Sequence, residues 1–385
     1  MGLRVYRLLM AHNSLNRRKV LQTVGGSASI ALLAGCANSG GSGSGTTAQQ
    51  NAEQDTYSLT LAESATRESA HYEGTQLLKE AIEERSDGRI EVDVICCQNA
   101  GGPPEIASSV NSGSLDMGVA AVNNLANITP AWLFVQLPYL WADHESLYGF
   151  WSENYGDDSR SDIVEQVNQR AYQDLENIEI LDYWGSNGGS MRHMNFSDDS
   201  APTVPSESSE KKIRVTESPI EGSTVDNWDY SATPVAWSET TSAMQQGVVQ
   251  GLHIHYWWLY ASGMFEEINY TVETQTQDSP SILHINSDSW SQLPEDLQSV
   301  VTESVAEVTP QQIEADLGKG VEAKQLIQEE NPDIEIYSPT DSELSEWQQV
   351  AEPTYDEWLG ETGVPQEYVE NALSYQDHSI SGVDF

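Results

Sequence analysis

From Tyr57 onward the apolar positions fall into short runs with two alternating periods. YSLTLAES sets Tyr57, Leu59 and Leu61 on one side of an extended chain, the period-2 spacing of a half-buried strand. HYEGTQLLKEAIEERSDG changes to helical spacing and closes at Asp87-Gly88, a C-terminal stop. RIEVDVICC returns to alternation through Ile90, Val92 and Val94. PPEIASSVNSG predicts a short helix with proline at its start and glycine at its end, and LDMGVAAV reads as a buried strand. The order β-α-β-α-β predicts an α/β body with a largely parallel sheet.

The pattern continues in the second half. IEILDYWGSNGG (178–189) predicts a strand that ends in a glycine-rich crossing, and IRVTES (213–218) starts another strand. SETTSAMQQG is helical and stops at Gly247, and PSILHINSDSW returns as a strand. The stretch from Leu293 to Asn331 predicts one long helix. Pro294 suits its first turn, whereas Pro310 is expected to bend or split it. WSENYGDDSRSDI and FSDDSAPTVPSESSEKK are polar and predict surface loops. No internal repeat is visible.

Composition changes this picture in one respect. The 385 residues carry 60 acids against 17 Lys and Arg, a formal net charge of −43. With 11 Trp, 16 Tyr and 38% hydrophobic residues, the chain has ample material for a core, so its charge does not read as disorder. Acids spread over the whole body point to a surface adapted to high salt, as in a halophilic archaeon. They exclude nucleic acid and anionic membrane surfaces as partners, because both would be repelled. The length favours two packed lobes over one small core.

The N-terminus reads as a targeting device. Five of the cations precede Cys36 (Arg4, Arg7, Arg17, Arg18 and Lys19), and no acid lies among them. NRRKVLQ followed by GGSASIALLAGC has the order of a twin-arginine (Tat-type) export signal over residues 1–36. LAGC resembles a lipoprotein box, with Cys36 as the lipid attachment point. Residues 37–56, rich in Gly, Ser and Gln, read as a flexible linker, so the membrane is met only through that lipid. Cys96 and Cys97 are adjacent, a geometry that disfavours a bridge, and are expected to be unbridged packing residues at a strand end.

Several segments, taken in order, resemble one family. GRIEVDV, SGSLDMGVA, LPYLW, KKIRVTESP, ATPVAWSETTSAMQQGVVQG and LPEDLQ are similar in order and spacing to the solute receptors of tripartite ATP-independent periplasmic (TRAP) transporters, over about residues 57–360. The resemblance implies a two-lobed α/β fold of the type II periplasmic-binding-protein kind. The ligand cleft lies between the lobes, and a long C-terminal helix spans both. Residues 57–189 with 280–319 would form lobe I, and 190–279 with 320–385 lobe II. It further implies a monomeric, non-enzymatic receptor that needs no cofactor or metal and passes a small organic acid to membrane permease subunits. A receptor serving a sensor, or a secreted hydrolase on a similar body, are the alternatives.

The resemblance assigns Arg214, in K-K-I-R-V, to a two-pronged pair with the ligand carboxylate, with Arg192 assisting and Trp237 packing on the ligand. The residue type agrees, because a guanidinium is a planar fork that stays charged when partly buried. Lys211 and Lys212 are expected to pair with nearby acids (Glu207, Glu210, Glu217) as a solvated network. The family usually has Asn after its G-V-V-D-G segment, but here Ile254 stands at that position and Gln250 replaces the Asp. Polar contacts are therefore expected from Tyr256, Asn187 or Asn123, with Trp184 among the aromatic candidates for the pocket wall. His253 and His255 share a strand face, yet no third metal ligand has suitable spacing, so hydrogen bonding within the fold is expected.

Overall fold

Alternating apolar positions place Ile90 and Val92 inward and Glu91 and Asp93 outward on β2 (Ile90–Ile95), which pairs in parallel with β1 (Tyr57–Ala62). β1 pairs on its other side with β3 (Met117–Ala121). The computed structural model describes residues 55–156, 160–200, 202–207, 211–360, 364–376 and 378–380. The export signal, Cys36 and almost all of the linker lie outside them.

The remaining strands are β4 (Ile178–Trp184), β5 (His193–Phe196), β6 (Lys212–Val215), β7 (Ser231–Pro234), β8 (Gly251–Ile254), β9 (Tyr270–Val272), β10 (Ser281–Asn286) and β11 (Glu335–Tyr337). They form two sheets with orders β2-β1-β3-β10-β4 and β11-β9-β5-β8-β6-β7. The fold is two-lobed, one lobe around each sheet. The first sheet is less uniformly parallel than the β-α-β pattern implied, because β10 inserts antiparallel between β3 and β4. Two connections join the lobes: residues 185–192 from β4 to β5, and 273–280 from β9 back to β10.

Twelve α-helices are described: α1 (Ala70–Arg85), α2 (Pro103–Asn111), α3 (His144–Trp151), α4 (Ile163–Ala171), α5 (Pro219–Asn227), α6 (Trp237–Gln245), α7 (Tyr256–Ala261), α8 (Ser287–Gln292), α9 (Glu295–Glu330), α10 (Asp341–Ala351), α11 (Pro353–Gly360) and α12 (Gln366–Tyr375). Local chemistry sets their ends. Ser69 caps α1 by accepting from the Tyr72 N–H, and Asp87 and Gly88 take positive φ after it. Pro294 stands at the N-cap position of α9 without a side-chain cap, and Pro310 does not split the helix, which runs unbroken for 36 residues. It packs on α1 in the first lobe and on α7 in the second, so tertiary packing holds it together past the missing N–H. Among the described residues no helix is long and apolar enough to cross a membrane.

The first lobe has a core on each sheet face. One is built around Leu61, Leu78, Val119, Trp184 and Val301, the other around Trp132, Phe134, Trp151 and Tyr183. Trp151 and Ile163, at the ends of the segment expected to be a surface loop, are buried in the second of these. So are Tyr355, Tyr368, Val369 and Ala372; α12 packs on α3 of the first lobe, whereas α11 also meets α5 of the second, where Asn227 donates to Thr354 and Ser223 to Glu357.

Cys96 and Cys97 differ from expectation, for they form a vicinal disulfide just after β2. Positive φ at Cys97 (65°) and Gln98 (62°) turns the chain sharply enough to bring the sulfurs together. The Cys97 N–H donates to Ala65, tying this turn to the end of β1.

Candidate functional site

Strands β5, β8 and β6 lie side by side, and around the C-terminal half of β8 they gather Arg192, His253 and Arg214. Arg214 is 4% exposed. Its Nε donates to the Val235 carbonyl at 3.1 Å, and its guanidinium carbon lies 5.7 Å from the Trp237 ring centroid, a cation–π geometry. No described residue accepts from its terminal nitrogens, and no described carboxylate pairs with it. Burial lowers its pKa to about 10, so the cation persists at neutral pH.

Arg192 is buried too, but it is engaged. Its Nη1 lies 3.3 Å from Glu221 Oε1 and donates to the His253 carbonyl at 3.0 Å. Glu221, fully buried on α5, also receives His253 Nδ1 at 2.8 Å, the Thr216 N–H at 3.0 Å and the Thr216 hydroxyl. Burial alone would raise the pKa of Glu221, yet Arg192, His253 and Arg214 together hold it well below the usual carboxylate range. Sequence reasoning missed Glu221. Its only signal was the S-x-x-E spacing from Ser218, the pattern of a helix cap. Ser218 does cap α5, but the glutamate carboxylate turns to Thr216 and Arg192 instead.

The other expected residues divide. Trp237 opens α6 beside Arg214. Asn123 is buried at the end of β3, on the edge of the first sheet from which both interlobe connections depart. Tyr256 gives its hydroxyl to Glu273 at 2.9 Å, and that carboxylate also takes Lys324. Asn187 is fully buried in the first connection, where it accepts from the His71 N–H at 3.0 Å and leaves Nδ2 without a partner. Trp184 lies in the first lobe's core with its indole N–H on Thr309 at 3.1 Å, away from Arg214. Ile254 is core, pairing across β8 with His193. Lys211 pairs with Asp198 rather than with Glu207 or Glu217, Lys212 is exposed, and Glu210 lies outside the described residues. Glu217 meets Asn127 at 3.2 Å across the lobes.

A second buried polar group occupies the crossing itself. Asp278, in the return connection, receives His255 Nε2 at 3.0 Å and the Tyr148 hydroxyl at 3.1 Å, with His144 Nε2 at 3.3 Å. Asp316 on α9 lies 3.2 Å from the same Tyr148 hydroxyl. One hydroxyl proton cannot serve both carboxylates, so the second bond requires a proton on an acid. Burial, aided by the charge of Asp278, pushes Asp316 up to about 7, whereas His255 and His144 outweigh burial and keep Asp278 ionised. His253 and His255 thus bind separate carboxylates within the fold. Elsewhere in the first lobe, Glu63 after β1 is fully buried, takes the Ala65 N–H at 2.6 Å and leaves Oε1 without a partner. Burial raises its pKa to about 8.

Two sheets, two crossing connections and an unpaired buried guanidinium beside them define a two-lobed solute receptor. The model of the DctP family, bacterial extracellular solute-binding protein family 7, matches residues 61–361, and the chain belongs to that family. It is 24% identical to a solute-binding protein of Chromohalobacter salexigens over 281 residues, 73% of this chain and 78% of that one. A TRAP periplasmic solute-binding protein of the same organism, solved with bound D-glucuronate, superposes with TM-score 0.72 at 21% identity, covering 83% of this chain and 99% of that chain. One from Shewanella oneidensis, with bound succinate, gives TM-score 0.73 at 16% identity, covering 83% and 99%.

Proposed function

We propose that the protein captures a small organic acid outside the cell and hands it to the membrane subunits of a TRAP transporter, tethered through a lipid on Cys36 after Tat-type export. Arg214 carries this reading: a buried guanidinium with its terminal nitrogens unoccupied is costly unless an anion completes it. A carboxylate fits that fork with two parallel hydrogen bonds, and Trp237 supplies an apolar wall beside it. The reading requires capture and lobe closure, with no bond made or broken. A ligand related to those of its relatives, which include uronates and succinate, suits the same anchor.

The test is a thermal-shift and calorimetric screen of organic acids in molar KCl. A true ligand at 100 times its Kd adds about 2.7 kcal/mol to stability. Arg214→Ala should abolish the shift, and Arg214→Lys should restore only part of it, since an ammonium lacks the fork. Affinity should hold at high salt, which screens the distant acids more than the direct contact. An undiminished response in Arg214→Ala would remove Arg214 from the site.

A further inference from the structure

We infer that this receptor selects singly charged carboxylates over dicarboxylates, because Glu221 already neutralises one of the two buried arginines. The inference rests on the reading that Arg214 receives the ligand. Arg192 and Arg214 flank β8, so two cations stand at one edge of the second sheet, enough for a dianion if both were free. They are not both free. Glu221 Oε1 lies 3.3 Å from Arg192 Nη1 and 2.8 Å from His253 Nδ1, and Oε2 takes the Thr216 N–H at 3.0 Å together with the Thr216 hydroxyl. Both oxygens of the carboxylate are engaged, and its charge is fixed against Arg192.

The other titratable groups near this edge add no cation. His253 is fully buried, and burial depresses its pKa, so it is neutral at pH 7. Glu217 contributes negative charge near Arg214, and Asp278 does so beside His255. The site therefore offers one uncompensated positive charge, that of Arg214. A monoanion balances it. A dianion would leave a second negative charge unpaired in a desolvated site on a body of net charge −43. A uronate or hydroxy acid, with one carboxylate and several hydroxyls, meets the charge count.

The experiment is calorimetric titration of the mature chain in molar KCl with matched pairs that differ by one charge. D-Galacturonate is set against galactarate and glutarate monoamide against glutarate, with lactate and pyruvate set against malate and succinate. The monoanion of a bound pair should be tighter by roughly tenfold or more. Glu221→Gln should narrow or invert that ratio by freeing Arg192. Circular dichroism checks that this variant folds, and the wild-type ratio stands independently of it. A dianion binding as tightly as its monoanionic partner, with binding lost in Arg214→Ala, overturns the charge count while sparing the carboxylate reading. Failure of every acid to bind folded protein overturns the carboxylate reading itself.

Discussion

Gly320 lies inside α9 where the first interlobe connection passes against the helix, and a β-carbon built on it would sit 1.8 Å from the Gly189 carbonyl oxygen. On helix propensity alone, Gly→Ala inside α9 gains about 1 kcal/mol. Contact between carbon and a carbonyl oxygen needs about 3.3 Å, so the helix and the connection must part by roughly 1.5 Å. Gly189 cannot yield easily: it has φ +63°, and its own β-carbon position lies 2.3 Å from the Gly320 nitrogen. Overpacking of this kind costs about 1–3 kcal/mol, and backbone against backbone belongs at or above the upper end. Gly320→Ala should therefore lose about 2 kcal/mol net of the propensity gain. Gly318, two positions earlier with nothing within 4 Å, is the control: its alanine variant should gain about 0.5–1 kcal/mol. Denaturant titration in molar KCl reads both. Ligand affinity should fall only in Gly320→Ala, because the displaced connection leads into Arg192. A Gly320→Ala variant as stable as Gly318→Ala would refute the close crossing.

Asp316, pushed up to about 7, binds a proton in the folded chain that the unfolded chain releases near pH 4. Folded stability from this group therefore falls as pH rises from about 4 to 7 and is flat above that. Asp316→Asn should remove the slope, so that stability curves of variant and wild type diverge in the variant's favour across that window. Parallel curves would place no proton on Asp316. Replacing Cys96 and Cys97 together by serine should cost only about 1 kcal/mol, since bridging adjacent residues closes almost no loop. Thiol titration of unfolded wild type without reductant should find neither Cys96 nor Cys97 free; two free thiols there would rule out the disulfide.

Much of the architecture was legible because period-2 and period-3.6 runs are local. The strands at Tyr57, Ile90, Met117 and Ser281 and the helices at Ala70, Pro103 and Trp237 lie where the spacing put them. Pro310 misled, because tertiary packing on α1 and α7 overrides a local breaker. Within the site, Arg214 and Trp237 come together as their segments implied, whereas Trp184 turned to the core and Arg192 to Glu221. Glu221 carried only the spacing of a helix cap, and no spacing distinguishes Glu63, Asp278 or Asp316 from the remaining acids among 60.

The sequence by itself determined the alternation of strands and helices, the acidic surface and the one arginine motif worth pursuing, since each is written in neighbouring residues. Only the tertiary structure decided which cations are free. Arg192 and Glu221 are 29 residues apart, and Tyr148 and Asp316 are 168 apart. Whether a buried charge is neutralised depends on what folding brings within about 4 Å of it, a distance that one-dimensional order does not encode.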